Sequence, residues 1–309
     1  SEAAAALDAA PVDAVASFDP EAGGGFTYTQ DQTGISTDIA ALALVITQRA
    51  TTLEGGALEA EHAVLDAQYT LSDAMNDTQL IAEFTTSFKG STYSKENRVF
   101  NIKKAAGLID GVMLENAEEF SINSALGPRT EKNGWREAAG IRDGAYVQEY
   151  GGGVCQVSTT LYNALLMADL KITQRSHHSW PLGYVDIGRD ATISTGGPDL
   201  CFVNTSGARL FIRAFTDTKN KSITVRLYGR ALANGVTIRV TSSKTQTLED
   251  LGTEILTHTS LAPGEEKIVR EARRGSMSET YKEYYAADGT LVDRVLVSRD
   301  KYRSIKGLM

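Results

Sequence analysis

Cysteine, histidine and proline are all scarce here, with two, four and six copies in 309 residues. Each scarcity closes off a class of protein. Cys155 and Cys201 cannot build a disulfide framework; one bridge between them is the most the chain allows. Two Cys and four His without CxxC or HxxxH spacing argue against a zinc site, so neither metal nor cofactor is expected. Few prolines and few low-complexity runs argue against long linkers, and no repeat of useful period is present. No stretch approaches the ~18 consecutive apolar residues of a membrane-spanning helix; the most apolar, Ile39 to Ile46, is too short. Ser1 to Ala10 is acidic and alanine-rich and lacks the basic flank of a secretory signal. The first residue is not Met, which leaves room for a membrane anchor upstream. Basic residues are outnumbered, 31 Lys and Arg against 39 Asp and Glu, for a net charge of -8. That balance argues against nucleic acid or anionic lipid as main partner. The short run Arg270, Arg273, Arg274 lies among Glu265, Glu266 and Glu271 and reads as a solvated face.

A 42% hydrophobic and 23% charged composition is ordinary for a globular protein, and the length suits two or three domains. After the Gly23-Gly24-Gly25 turn, Phe26 to Gln30 alternates as a short strand. Ser36 or Thr37 could cap a helix through Ile46, and a second helix is expected from Ser72 to Ala82. Asn97 to Ile109 has a helical apolar stripe. Met113-Leu114 and Phe120 to Ile122 read as short strands. Beyond a confident helix from Gln156 to Ala168 the period changes to two, over Pro181 to Val185, Ala191 to Ser194, Cys201 to Asn204, Arg209 to Phe215 and Ser222 to Tyr228. Lys219-Asn220-Lys221 joins the last two as a hairpin. Val236 to Val240 alternates, and Asp288-Gly289 between Tyr281–Tyr285 and Leu291–Val297 is a strong hairpin signal. The expected fold class is α+β.

One segment carries chemistry. In GGGVCQVSTTLYNALLMA, from Gly151 to Ala168, residues Val157, Leu161, Ala164, Leu165 and Ala168 share one helical face, which must be buried. Cys155 lies about 140° from the middle of that face, on the side of Ser158, Thr159 and Tyr162. The thiol therefore points to the polar side, in the first helical turn. A helix N-terminus stabilises a thiolate, and its unpaired amides could hold an oxyanion. Glycines at 151–153 allow close approach of a substrate backbone. Against this stands the bland reading of a buried, inert cysteine. A cysteine nucleophile needs a base, usually His. His62, placed in an early helix, and His258, in the β-rich tail, read as surface residues. His177 and His178 enter a strand, so only one of them can face the thiol. Asp190 and Asp186 are the nearest acids to orient it, with Asn123 and Ser179 as polar alternatives.

Several ordered motifs, NIKKAAGLIDGVML, ENAEEFSINSALGPRT, NGWREAAGI, GGGVCQVSTTLYNALLMADL, HSWPLGYVDIGRDATI and PDLCFVN, together resemble the VanW-like domain of bacterial surface proteins, from about Thr85 to Tyr228. Residues 1–84 resemble a peptidoglycan-binding domain that starts incompletely. Residues 231–309, with GEEKIVREARRG and YKEYYAADGTLVDR, are similar to a G-five domain, a β-rich module of wall- or glycan-associated proteins. The implied layout is a truncated wall-binding domain at 1–84, a VanW-like catalytic domain at 85–230 and an elongated β module at 231–309. In the middle domain the Cys-bearing helix would pack on an antiparallel sheet of the strands after Pro181.

The family is named for its place in glycopeptide-resistance clusters, and some members are linked to L,D-transpeptidase activity. The resemblance therefore implies a cysteine acyltransferase of the extracellular cell wall that makes 3–3 crosslinks between peptidoglycan stem peptides. The family's cysteine falls on Cys155 and its His-Ser on His178-Ser179, which favours His178 over His177. Its Gly-x-Asp-Ala-Thr falls on Gly188, Asp190, Ala191 and Thr192. Arg98, Asn101, Phe120, Ser121 and Asn123 match further motif positions. Trp180 and Cys201 depart from the pattern, and Cys201 is not expected to be catalytic. The catalytic set is Cys155, His178 and Asp190. Oxyanion or substrate contacts are assigned to Gly152, Gly153, Gln156, Ser158, Thr159, Tyr162, Ser179, Arg98, Asn123, Arg129 and Trp135. The rival readings are a non-catalytic wall-binding module, a cysteine peptidase trimming stem peptides, and a redox thiol protein.

Overall fold

A computed structural model describes residues 8–19, 25–90, 95–142, 145–257, 262 and 264–309. The Gly23-Gly24-Gly25 turn, save Gly25, and His258 lie outside the described residues. The protein is α+β, with helices and mainly antiparallel sheets. It divides into two compact units, Ser1–Thr78 and Gln79–Met309.

The first unit contains β1 (Val15–Asp19) paired with β2 (Gly25–Thr29), β3 (Gly34–Thr37) and helix α1 (Ile39–Thr52). It ends with β4 (His62–Leu65), paired with β3, and α2 (Leu71–Asn76). The α1 cap is Asp38, whose carboxylate accepts from Ala41 N–H at 2.9 Å; Ser36 and Thr37 belong to β3. His62 is in a strand rather than a helix, with Nδ1 3.0 Å from Thr37 Oγ1. The helix expected from Ser72 to Ala82 stops at Asn76. Thr70 and Asp73 form a capping box that fixes its start, and Ala82 lies in the strand that follows.

The second unit opens with β5 (Gln79–Ser87), α3 (Glu96–Ile109), β6 (Met113–Leu114), β7 (Glu119–Ser121) and α4 (Ile122–Leu126). A hairpin of β8 (Glu137–Arg142) and β9 (Ala145–Tyr150) leads into α5 (Val154–Met167), then β10 (Lys171–Gln174), β11 (Cys201–Val203), β12 (Leu210–Asp217) and β13 (Ser222–Gly229). The strands β5-β13-β12-β6 form one antiparallel sheet, and β10-β11-β7 another. Last come β14 (Thr237–Thr247), β15 (Thr253–Glu254), β16 (Ser276–Tyr285), β17 (Leu291–Tyr302) and β18 (Gly307–Leu308), with β14-β16-β17 forming an antiparallel sheet. Asp288-Gly289 turns β16 into β17, with Gly289 at φ 85°. Ile238 and Val240 of β14 join the core that also holds Ile102, Val157, Leu161, Leu165 and Val225. Residues beyond 230 thus share one apolar core with those before.

Helix α5 is not amphipathic in its setting. It packs on β5, β13, β14, β10 and α3, and Val154 and Gln156 through Leu166 are all buried. Its polar residues survive burial because each finds a partner. Ser158 Oγ donates to Ala191 O at 2.7 Å, and Asn163 Nδ2 donates to Arg189 O at 2.8 Å. These bonds hold residues 189–191 against the helix in place of a ladder. Ala191 to Ser194, expected as a strand, therefore forms none, and neither does Pro181 to Val185.

Candidate active site

Gly151, Gly152 and Gly153 turn the chain from β9 into α5. A Cβ on Gly152 would stand 2.4 Å from Ala138 O, and Gly153, the N-cap, has φ 105° with Arg98 Cγ 2.7 Å from where a Cβ would sit. Both positions need glycine, the second also for its left-handed backbone. The turn places Cys155 in the first turn of α5, half-buried and unoxidised, with no bridge to Cys201. The thiol donates to Ile193 O at 3.4 Å and lies 3.8 Å from Thr192 Oγ1. Among the described residues the Cys155 amide has no hydrogen-bond acceptor, whereas the Gln156 amide donates back to Gly153 O at 3.0 Å. The tight turn at the helix start thus engages the Gln156 amide and leaves that of Cys155 available to an oxyanion.

His178 is buried, and both its backbone N–H and its Nδ1 are 2.6 Å from Asp190 Oδ2. Its ring interacts with the Cys155 sulfur. Burial opposes charge on the imidazole, but the bond to Asp190 and the sulfur's negative charge prevail and raise its pKa to about 9. Burial likewise opposes ionisation of Cys155, yet His178 outweighs it and the thiol pKa is lowered. Burial works against the Asp190 carboxylate too, but bonds from His178 and Tyr302, with Arg175 nearby, pull it down to about 2. The shifts of Cys155 and His178 run in the direction of a thiolate–imidazolium pair, with the Asp190 carboxylate behind the imidazole.

The sulfur faces a cavity of about 740 Å³ lined by Arg98, Arg129, Glu149, His178, Ser179 and Tyr184, among others. Arg129 is oriented by Asn123, which accepts its Nη2 at 2.7 Å, and by Gly127 O at 3.1 Å. Burial lowers the Arg129 pKa, countered by negative charge at Cys155, Asp199 and Glu149. Arg98 Nη2 donates to Gln156 Oε1 at 2.8 Å, and Gln156 Nε2 donates to Thr86 Oγ1 at 3.0 Å. Gln156 therefore holds Arg98 in place through its side chain.

Most of the other sequence candidates stand apart from the cavity. Ser158 and Thr159 are fully buried and bind the backbone of Ala191. Tyr162 is in the core beneath the Arg175 guanidinium, 5.2 Å from its ring centroid. Trp135 is 2% exposed and packs into the core, with Lys104 over its ring. The polar side assigned to this helix is covered by the 189–193 segment, which period-based reading cannot see. His177 lines the cavity but spends Nδ1 on His178 O at 2.7 Å. Asp186 is exposed and pairs with Arg189 at 3.3 Å. Cys201 lies in β11, its thiol 3.3 Å from Asp199 Oδ2, and burial plus that carboxylate push it up to about 11, which keeps it protonated.

Tyr184 was not singled out from sequence. Burial, then negative charge at Cys155, raises its pKa well above the ordinary value, so it is a neutral phenol beside the sulfur. Its place in HSWPLGYVDIG, between His178 and Asp190, was the available signal. Arg175, Asp300 and Tyr302 were also missed. Their partners are distant in sequence.

A Cys–His–Asp array with its cysteine in the first turn of a helix, facing a polar cavity, brings together the residue types that cysteine-nucleophile chemistry uses. Residues 97–228, less than half of the chain, match the family described as VanW like protein. The uncharacterized protein YoaR of Bacillus subtilis (strain 168) is 41% identical over 137 residues, 44% of this chain and 44% of YoaR. The vancomycin B-type resistance protein VanW of Enterococcus faecalis (strain ATCC 700802 / V583) is 34% identical over 111 residues, 34% of this chain and 40% of that protein. The matches thus span less than half the length of these curated relatives. No solved structure matches the chain.

Proposed function

We propose that the second unit is a cysteine acyltransferase that crosslinks peptidoglycan stem peptides in the manner of an L,D-transpeptidase, at the cell surface. The observation that carries this reading is the array itself: Asp190 bonded to His178 at 2.6 Å, and the His178 ring against a half-buried thiol. The match of residues 97–228 to the VanW like protein family, and the likeness to a relative named a vancomycin resistance protein, support a cell-wall substrate.

The Cys155 thiolate attacks the carbonyl of the third, diamino acid residue of a donor tetrapeptide. The Cys155 amide holds the oxyanion. The C–N bond to the terminal D-Ala breaks, and that amine leaves with the proton from His178. A thioester remains on Cys155. An amine of a neighbouring stem then attacks, His178 takes its proton, and the new amide leaves a free thiolate. Arg129, oriented by Asn123, is the group suited to hold a substrate carboxylate, and Ser179 and Arg98 line the approach.

Incubating the protein with purified tetrapeptide muropeptides, then separating products by mass, tests the reading. Crosslinked dimers from wild type and none from Cys155→Ala support it. Release of D-Ala without dimers would assign a stem-peptide hydrolase instead, and binding without any product would assign a wall-binding module.

A further inference from the structure

The match to the family model ends at residue 228, but the site does not. Asp190 is buried, and His178 occupies only its Oδ2. Its Oδ1 accepts the Tyr302 hydroxyl at 2.5 Å and stands 3.5 Å from Arg175 Nη2. Tyr302 is the last residue of β17 and is 1% exposed. Its phenol oxygen accepts the Gly188 N–H at 2.9 Å. A phenol has one proton, and with Gly188 in the acceptor position that proton is aimed at Asp190. The Tyr302 ring also lies against His177, with centroids 4.8 Å apart.

The same sheet grips the Asp190 loop at further points. Arg175 donates to Asp190 O at 2.7 Å and to Gly188 O at 3.1 Å, and it is itself held by Asp300 at 2.7 and 2.8 Å. Thr280 Oγ1 donates to Gly188 O at 3.0 Å, and the Arg273 guanidinium lies 4.6 Å from the Trp180 ring. A module that served only to bind wall polymer would have no need to insert a phenol into a buried carboxylate's hydrogen-bond shell.

We propose that Tyr302 is a positioning residue for the Cys155–His178–Asp190 array, and that the C-terminal sheet is part of the reacting unit rather than an appended adhesion module. This rests on the reading of Cys155 as an activated thiol. Through Asp190 the phenol fixes the plane of the carboxylate, and so the imidazole that faces the sulfur. The charged or titratable groups around this chain are His178, Arg129 and Tyr184 at Cys155, and His178, Arg175 and Tyr302 at Asp190, with Asp300 behind Arg175.

The test is the pH profile of Cys155 alkylation by iodoacetamide in the full chain, for wild type, Tyr302→Phe and Thr280→Val. Phe keeps the ring and its packing and removes only the hydroxyl. Wild type should label with a midpoint well below the ~8.5 of a free thiol. Tyr302→Phe should raise that midpoint by about one pH unit, a roughly tenfold slower reaction on the acid side. Thr280→Val loosens the same loop without touching Asp190 and should follow wild type. A Tyr302→Phe profile superimposed on wild type, or an equal shift in Thr280→Val, would overturn the positioning role while leaving the activated thiol intact. A wild-type midpoint at the free-thiol value would overturn both.

Discussion

The backbone amide and the ring Nδ1 of His178 reach the same oxygen of Asp190, Oδ2, each at 2.6 Å. This double attachment fixes both the position and the rotation of the imidazole, and leaves the far side of the ring for Cys155. Asp190→Asn should keep the fold, since Asn is isosteric, but it offers the wrong partner to Nδ1. Acylation of Cys155 should fall by about a thousandfold or more, in line with the loss of an orienting carboxylate elsewhere. Single-turnover kinetics would measure it, and a drop of less than tenfold would remove Asp190 from the mechanism.

Asp190 also makes folding sensitive to acid. Its folded pKa of about 2 lies below the ordinary 3.8, so the stability it contributes is present above the ordinary value and is lost as pH falls through about 2. Wild type should lose Tm steeply between roughly pH 4 and pH 2, and Asp190→Asn should lose less over that interval. His178, raised to about 9 from 6.5, contributes stability that is complete below 6.5 and lost as pH rises through about 9. The lowered Cys155 acts in the opposite sense and offsets part of that loss. Calorimetry across pH separates these limbs.

Ser158 is fully buried and gives its hydroxyl to Ala191 O at 2.7 Å, next to Asp190 in the chain. Ser158→Ala leaves that carbonyl with one bond fewer and should destabilise the unit by about 1–3 kcal/mol. Chemical denaturation would show it as a lower midpoint at unchanged slope. A neutral result would mean that Thr159, whose Oγ1 is 3.3 Å from the same oxygen, carries the contact alone.

Gly152→Ala should be worse tolerated than its small size suggests. The new Cβ would meet Ala138 O at 2.4 Å and Ala138 C at 2.6 Å, backbone atoms of β8 that cannot swing aside. A cost of about 1–3 kcal/mol follows from overpacking, with displacement of the turn that carries Cys155. Thermal unfolding together with alkylation rate would report both.

Much of this site could be read from local pattern. The glycine turn before a long apolar helix located Cys155, and a resemblance to a known family singled out His178 and Asp190, which the fold brings into contact. The Asp288-Gly289 turn between alternating runs announced the β16–β17 hairpin. What stayed hidden depends on who covers whom. Periodicity marks Ser158, Thr159 and Tyr162 as a polar face, but it cannot show that residues 189–193 and Arg175 close over them. Nor does any local signal connect Tyr302 with Asp190, 112 residues away. The helix expected to reach Ala82 ends six residues earlier, because Thr70 and Asp73 define one short capped turn and β13 recruits the residues after Thr78 as a strand.

Intact-mass spectrometry of the protein mixed with tetrapeptide muropeptide, quenched in acid within seconds, addresses the central claim most directly. The account predicts a covalent adduct equal to the donor less D-Ala, mapped by digestion to Cys155, absent in Cys155→Ala and discharged on adding an acceptor amine. An unmodified wild-type mass under conditions where the muropeptide is consumed, or an adduct on any residue other than Cys155, would contradict it.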